Sequence, residues 1–243
     1  MKPFLLLATR SEDEAADDEY AGFLAAGRLL PEDLHRVRLE AAPMPHIDLD
    51  DYSGIIVGGS PFNTSDPDES KSAVQLRVEA ELGELIEQVM PRDFPFFGAC
   101  YGIGLLANHL DGVVDGTWPE GAGPARVTLT AAGTADPLFS HLGESFDAFV
   151  GHKEACTILP SGAVLLASGT DCPVQAFRIG SNVYATQFHP ELTEASILTR
   201  IRVYRENGYF DPAEFDDVAA RIRAAHVTEP LRLVRAFVER FAE

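Results

Sequence analysis

Short apolar runs that stop at glycine alternate with amphipathic helical stretches through the first 110 residues, and this alternation restricts the fold more than any other feature. Phe4 to Ala8 and Gly54 to Val57 are continuous apolar segments of buried-strand length, and the second ends abruptly at Gly58-Gly59. Phe94 to Gly98 is a third. His35 to Leu39 alternates polar and apolar residues, as a strand does. Between these runs, Asp17 to Leu30 reads as a helix closed by Gly27 and Pro31. Ser70 to Met90 places Val74, Val78, Leu82, Leu85, Ile86 and Val89 on one helical face, with Pro91 as its stop. Strands alternating with helices predict an α/β fold with a mainly parallel central sheet flanked by helices.

The second half has a different rhythm. Ala125–Thr130, Phe146–Val150, Ala163–Ala167, Val174–Arg178 and Val183–Thr186 are short strand-like runs separated by turn residues, with little helical pattern between them. They predict an antiparallel extension of the same sheet. From Glu194 onward the pattern is helical again: Ser196 to Glu206, Pro212 to His226, and a last amphipathic stretch marked by Leu231, Val234, Phe237, Val238 and Phe241. The expected organisation is one domain over residues 1–193 and a C-terminal helical tail, 194–243, packed on it. No linker, repeat or low-complexity tract interrupts the 243 residues, whose 46% hydrophobic content is enough for one sizeable core.

A formal net charge of −19 repels phosphate backbones and anionic lipid, so neither nucleic acid nor membrane is expected as a partner. The acidic run Ser11 to Glu19 is read as a solvated loop and helix start. No stretch approaches the ~20 apolar residues that span a bilayer, and no secretory leader is visible. The three cysteines, Cys100, Cys156 and Cys172, lack a C-x-x-C spacing. Together these features predict a reducing, cytoplasmic location, no metal centre and no cofactor.

Cys100 stands at the apex of Phe97-Gly98-Ala99-Cys100-Tyr101-Gly102-Ile103-Gly104, where a strand runs through small residues into a helix. The geometry matches a nucleophile elbow, with glycine on either side letting strand and helix approach. A helix N-terminus behind the sulfur favours thiolate, lowering the pKa from the ~8.5 of free cysteine. A buried cysteine beside packing glycines is the alternative. Gln187-Phe188-His189-Pro190-Glu191 follows the run Val183 to Thr186. His189 can serve as the base a thiol needs, and Glu191 as the acceptor that orients it. Gly58-Gly59-Ser60 is either a tight βα turn or a source of an oxyanion donor from its backbone, with the Tyr101 N–H as a second donor.

In these three features, and in their order, the chain resembles the class I glutamine amidotransferases, which pair a Gly-x-Cys-x-Gly elbow with a later His-Pro-Glu and an earlier Gly-Gly turn. The stretch Gly151-His152-Lys153, with Leu159-Pro160 and Cys172-Pro173-Val174-Gln175-Ala176-Phe177, is similar to the segment preceding His-Pro-Glu in stand-alone amidotransferases and in the amidotransferase part of GMP synthases. The resemblance implies the flavodoxin-like amidotransferase fold, a Cys100-His189-Glu191 triad, and attack of Cys100 on the side-chain amide of glutamine. It further implies an oxyanion held by Gly59 and Tyr101 N–H groups, with Gly104, Gly151 and His152 at the substrate. A structural histidine at a strand end is the alternative for His152, and Cys156 and Cys172 read as ordinary buried thiols.

The family usually has Gln four residues after the nucleophile, where this chain has Gly104. That keeps a γ-glutamyl compound other than glutamine open as the small-molecule substrate. No Walker pattern or pyrophosphatase loop is present, so ammonia is expected to pass to a separate synthetase chain or simply to be released. The sequence therefore carries three functional readings: glutamine hydrolysis, γ-glutamyl peptidase activity, and a non-catalytic regulatory or binding subunit. It leaves the oligomeric state open.

Overall fold

The computed structural model describes residues 2–243. In chain order it forms β1 (Phe4–Ala8), α1 (Asp13–Gly27), β2 (Leu34–Arg38), β3 (Gly54–Val57), α2 (Ala73–Arg92), β4 (Phe96–Ala99) and α3 (Tyr101–His109). Then follow β5 (Val113–Asp115), β6 (Glu120–Leu129), α4 (Ala131–Ala135), β7 (Ser145–His152), β8 (Ala155–Ile158), β9 (Val164–Gly169), β10 (Ala176–Ile179) and β11 (Val183–Thr186). The chain closes with α5 (Glu194–Val203), α6 (Phe215–Ala224) and α7 (Leu231–Phe241).

Nine strands form one sheet in the order β2-β1-β3-β4-β11-β10-β9-β6-β7, and β5 pairs with β8 in a separate ribbon. The first five are parallel, and the remaining four run antiparallel to their neighbours. The expected mixed α/β architecture is therefore the observed one. β1 shows why its residues are all apolar. Phe4 and Leu6 enter the core on one face, while Leu5 and Leu7 enter the core on the other. α1 and α7 cover the first face, where Phe237 packs on Phe4 and Phe97 at ring distances of 5.9 and 5.5 Å. α2 and α3 cover the second through Val78, Leu82, Ile86 and Leu106. A third cluster joins Ile197, Ile201, Val218 and Ile222 of α5 and α6 to Phe149 of β7.

Several boundaries differ from the sequence expectation. α1 starts at Asp13, inside the acidic run, because Asp13 and Glu14 in its first turn favour the positive end of the helix dipole. α2 starts after Ser72, whose hydroxyl accepts from the Gln75 N–H, and it runs through Pro91 to end where Asp93 takes a left-handed conformation. A proline so near the end stops the helix two residues late. β5, α4 and β8 carry too few residues to show a period in sequence.

Register places the site. Val57 pairs with Gly98, and Thr186 pairs with Ala99, so the carboxyl ends of β3, β4 and β11 lie side by side. The segments leaving them are Gly58-Gly59, Cys100 and Gln187–His189. Clefts beyond the carboxyl ends of parallel strands are where open α/β sheets bind ligands.

Candidate active site

Cys100 is the residue between β4 and α3, with φ 52° and ψ −90°. A positive φ is costly for a side chain other than glycine, and persists where the surroundings over-determine it. Here the Cys100 N–H donates to the Thr186 carbonyl at 2.7 Å, tying the elbow to β11. Gly98 is required, since a Cβ there would lie 2.8 Å from the Gly102 carbonyl carbon. A Cβ at Gly102 would meet Val57 at an ordinary 3.4 Å, so the close approach depends on Gly98 more than on Gly102.

His189 is fixed by its backbone, whose N–H donates to the Phe149 carbonyl at 2.9 Å. Its Nδ1 lies 3.0 Å from Glu191 Oε1, and both side chains are buried. Cys100 stands against the same imidazole. Burial alone would lower the pKa of His189, but the Glu191 carboxylate, and then Cys100, outweigh it and raise it to about 9. Burial likewise pushes Glu191 upward, but His189, and then Arg200, hold it down at about 2. Cys100, His189 and Glu191 are thus brought together from two strand ends, with Glu191 and Cys100 both beside His189.

A buried charge cluster behind this trio was not visible in the sequence. Arg200 of α5 places Nη2 3.6 Å from Glu191 Oε1 and 3.5 Å from Glu19 Oε1, and its Nε lies 3.8 Å from Asp18 Oδ2. Glu19, on α1, also accepts from Arg10 Nε at 3.0 Å. Asp18 and Glu19 end the acidic run expected to be solvated, yet Glu19 is fully buried, and Arg10 and Arg200 belong to no local motif. Their residue types gave no signal beyond an ordinary solvated charge.

The Gly59 N–H donates to Glu19 Oε1 at 3.1 Å. Glycine is required there for space. A Cβ would lie 2.5 Å from His189 Cε1 and 2.6 Å from Arg10 Nη2. The Tyr101 N–H, at the first position of α3, has no acceptor within its helix.

A cleft of about 330 Å³, counting its open mouth, adjoins Cys100 and is lined by Tyr101, Gly104, Gly151, His152, Glu154 and Gln187, among others. Four expected site residues therefore share one cavity with Cys100. A Cβ at Gly104 would lie 3.1 Å from Thr64 Oγ1 and 3.3 Å from Glu154 Oε1. The Glu154 carboxylate, buried and accepting from the Thr64 N–H at 2.7 Å and the Ser65 N–H at 2.8 Å, fills the space where a longer side chain at 104 would start. His152 lines this cavity, yet both ring nitrogens are engaged, Nδ1 with the Glu154 carbonyl at 2.9 Å and Nε2 with Glu120 Oε2 at 2.8 Å.

Glu120, His152 and Cys172 form a second group, with one potential ligand atom each within 4.8 Å of the others. Sequence spacing could not show it, because the three residues come from separate strands and turns. Its groups are already occupied. Glu120 Oε2 also accepts from Gln175 Nε2 at 2.6 Å, and burial, then Glu120, push the Cys172 thiol up to about 12. With both His152 nitrogens and the Glu120 carboxylate held by the protein's own hydrogen bonds, the group forms a structural network.

Among the described residues, no helix is long and apolar enough to cross a membrane. A family model described as glutamine amidotransferase class-I matches residues 28–199. The chain is 32% identical over 187 residues to the GMP synthase (glutamine-hydrolyzing) of Salmonella typhimurium, a match that covers 70% of this chain and 33% of that protein. It thus spans about a third of the length of the curated relatives it matches. Two solved structures share its fold. A glutamine amidotransferase from Thermotoga maritima superposes with a TM-score of 0.75 at 18% identity, covering 100% of this chain and 99% of the other. The glutamine amido transferase from Methylobacillus flagellatus gives 0.72 at 20% identity, covering 99% and 94%. With a family model over most of its length, and an elbow cysteine facing a buried histidine–glutamate pair at the strand ends, this chain belongs to the class I glutamine amidotransferase family.

Proposed function

We propose that the chain hydrolyses a γ-glutamyl amide, of which glutamine is the smallest, through a thioester on Cys100. The observation that carries this is His189 held between Glu191, 3.0 Å away, and Cys100 at the elbow. Cys100 Sγ adds to the γ-carbonyl carbon. The oxyanion forms near the Tyr101 N–H, which the helix leaves without a partner. His189 passes a proton to the departing nitrogen, and later takes one from the water that opens the thioester. Glu191 accepts from Nδ1, fixes the tautomer and stabilises the charged imidazole. The Glu154 carboxylate beside Gly104 is suited to the substrate's α-ammonium, in place of the family's glutamine side chain. Residues 1–193 carry the amidotransferase domain in this reading, and 194–243 form an extension that contributes Arg200.

Two forms of the reaction differ in what leaves. Nitrogen leaves as ammonia if glutamine is the substrate, with a synthetase on a separate chain as its recipient. An amine leaves instead if another γ-glutamyl compound is the substrate, and for a γ-glutamyl peptidase that amine is an amino acid. Incubating the protein with glutamine and with γ-glutamyl dipeptides, and measuring glutamate for wild type and Cys100→Ala, tests the common chemistry. Glutamate release that disappears in the variant is expected. A Cys100→Ala variant as active as wild type, or a Cys100 that a γ-glutamyl chloroketone does not label, defeats it.

A further inference from the structure

The nitrogen that leaves the γ-carbonyl must lie on the His189 side, because His189 delivers its proton. On that side is a second cavity, with about 450 Å³ of free space counting its mouth. It adjoins the Cys100 cavity: Ser60, Gly151 and Tyr209 line both. Ammonia is about the size of a water molecule, and the enclosed part of this cleft has room for roughly three of them, so ammonia alone would leave part of it unfilled.

The walls show what would fill it. Ala122 of β6, Val150 of β7, Ile197 and Ile201 of α5, and the rings of Tyr204 and Phe210 give a mainly apolar surface. The two arginines at its edge are already paired, Arg10 with Glu19 and Arg200 with Glu191 and Glu19. With Asp18 beside Arg200 as well, three carboxylates offset the two guanidinium charges, so the arginine pair carries no net positive charge to draw an acidic leaving group. The roof is also tied in place. The Ala122 N–H donates to the Tyr209 carbonyl at 3.1 Å, and the Lys153 ammonium lies 5.2 Å from the centre of the Tyr209 ring.

We propose that this cavity is a leaving-group subsite, and that the enzyme takes γ-glutamyl amides of apolar amines, bearing an arylalkyl or branched alkyl group on the γ-nitrogen, in preference to glutamine. The proposal rests on the amide-hydrolase reading above. As Cys100 Sγ bonds to the γ-carbon, the carbon–nitrogen bond breaks and the proton on His189 goes to the amine nitrogen. Water then attacks the thioester carbon and returns a proton through His189 to Sγ. The sum is one amide and one water giving glutamate and the amine.

The test compares γ-glutamyl benzylamide with glutamine, since benzylamine and ammonia have conjugate acids of nearly equal strength and the chemical step is matched. The expected result is a kcat/KM at least 10-fold higher for the benzylamide, with glutamate and benzylamine released in equal amounts. Ile197→Trp, which fills the cavity, is expected to cut the benzylamide-to-glutamine ratio at least 10-fold. Ala122→Leu, a smaller intrusion from the opposite wall, should cut it several-fold. Thermal melting checks that each variant folds, and if neither does, the wild-type ratio alone decides. A wild-type preference for glutamine overturns the subsite and leaves the hydrolase reading standing. So does an unchanged ratio in two folded variants. If neither substrate is cleaved but the chloroketone labels Cys100, the subsite alone falls. If Cys100 is not labelled either, both fall together.

Discussion

The molecule holds two buried groups of the same three residue types, Cys100–His189–Glu191 and Cys172–His152–Glu120. In both, a carboxylate lies within 3.0 Å of a histidine nitrogen. In the first group only Nδ1 is taken by a carboxylate, and the imidazole also faces a cysteine that stands at a helix N-terminus and lines a cavity. In the second, both nitrogens of His152 are taken, and Cys172 is fully buried with its thiol donating to the Val174 carbonyl at 3.5 Å. The difference lies in the backbone. A strained elbow at the end of a parallel strand exposes one sulfur to a cleft and to unpartnered N–H groups, whereas a turn inside the antiparallel half shuts the other into the core. The same three residue types thus stand in two settings, one open to a cleft and one closed.

Removing each sulfur is the strongest way to break this comparison. Cys100→Ala is expected to lower the rate of γ-glutamyl amide hydrolysis by about 10⁴-fold or more, as loss of a triad member does. Cys172→Ala should stay within about two-fold of wild type in rate and lower stability by ~1–2 kcal/mol through the lost packing of a buried side chain. Glutamate release and chemical denaturation measure both. Comparable rate losses in the two variants would erase the distinction between the groups.

The next effect separates the two histidines. Glu191→Gln keeps the shape of the acceptor and removes its charge, and the rate is expected to fall by about 10²- to 10⁴-fold. It also changes stability against pH. His189, raised from 6.5 to about 9, contributes stability that is complete below pH 6.5 and lost as pH rises through 9. Glu191, lowered from 4.5 to about 2, contributes stability that is complete above pH 4.5 and lost as pH falls through 2. Wild type should therefore lose urea resistance between pH 6.5 and 9 from this pair. Glu191→Gln should flatten that slope, since the largest interaction holding the buried imidazole charged is then lost and only Cys100 remains. An unchanged slope would mean that Glu191 does not hold the charge on His189.

What was legible in the sequence follows the same division. The parallel half could be read because each buried strand is a run of apolar residues, as Phe4–Ala8 and Gly54–Val57 are, and each crossover helix has a period. The elbow and His-Pro-Glu were legible because each is contiguous. Arg10, Glu19 and Arg200 were not, because β1's exit, α1 and α5 contribute one charge each and the cluster exists only after folding. That Glu19 reaches the Gly59 N–H was hidden for the same reason. The second cysteine group was hidden likewise. Glu120, His152 and Cys172 are each unremarkable where they stand and meet only through the pairing of β6 with β7 and the turn after β9.

Arg200 tests whether the first group depends on that unread cluster. Arg200→Met leaves Glu191, Glu19 and Asp18 near one another with only Arg10 to offset them. Removing one partner from a buried ion cluster costs about 3 kcal/mol, and chemical denaturation should show a loss of that size. The rate should fall by about 10-fold as Glu191 becomes easier to protonate, with the acid limb of the rate–pH profile moving upward. A loss of stability with the acid limb unmoved would make Arg200 a structural residue only.

The smallest effect concerns Gly104, where the cavity of the first group meets Glu154. Gly104→Ala has two opposing consequences. Within α3, alanine is favoured over glycine by ~1 kcal/mol. Its Cβ, however, would lie 3.1 Å from Thr64 Oγ1 and 3.3 Å from Glu154 Oε1, so one or both must move by a few tenths of an ångström. Thr64 and Glu154 are bonded to each other, with Oγ1 donating to Oε1 at 3.0 Å, and they move together. Stability should therefore change by less than about 1 kcal/mol. If Glu154 receives the substrate's ammonium, the shift should appear as a rise in KM of about three- to five-fold, with kcat within two-fold, because binding is weakened while the Cys100–His189 geometry is untouched. A fall in kcat at constant KM would place Gly104 with the elbow rather than with substrate binding.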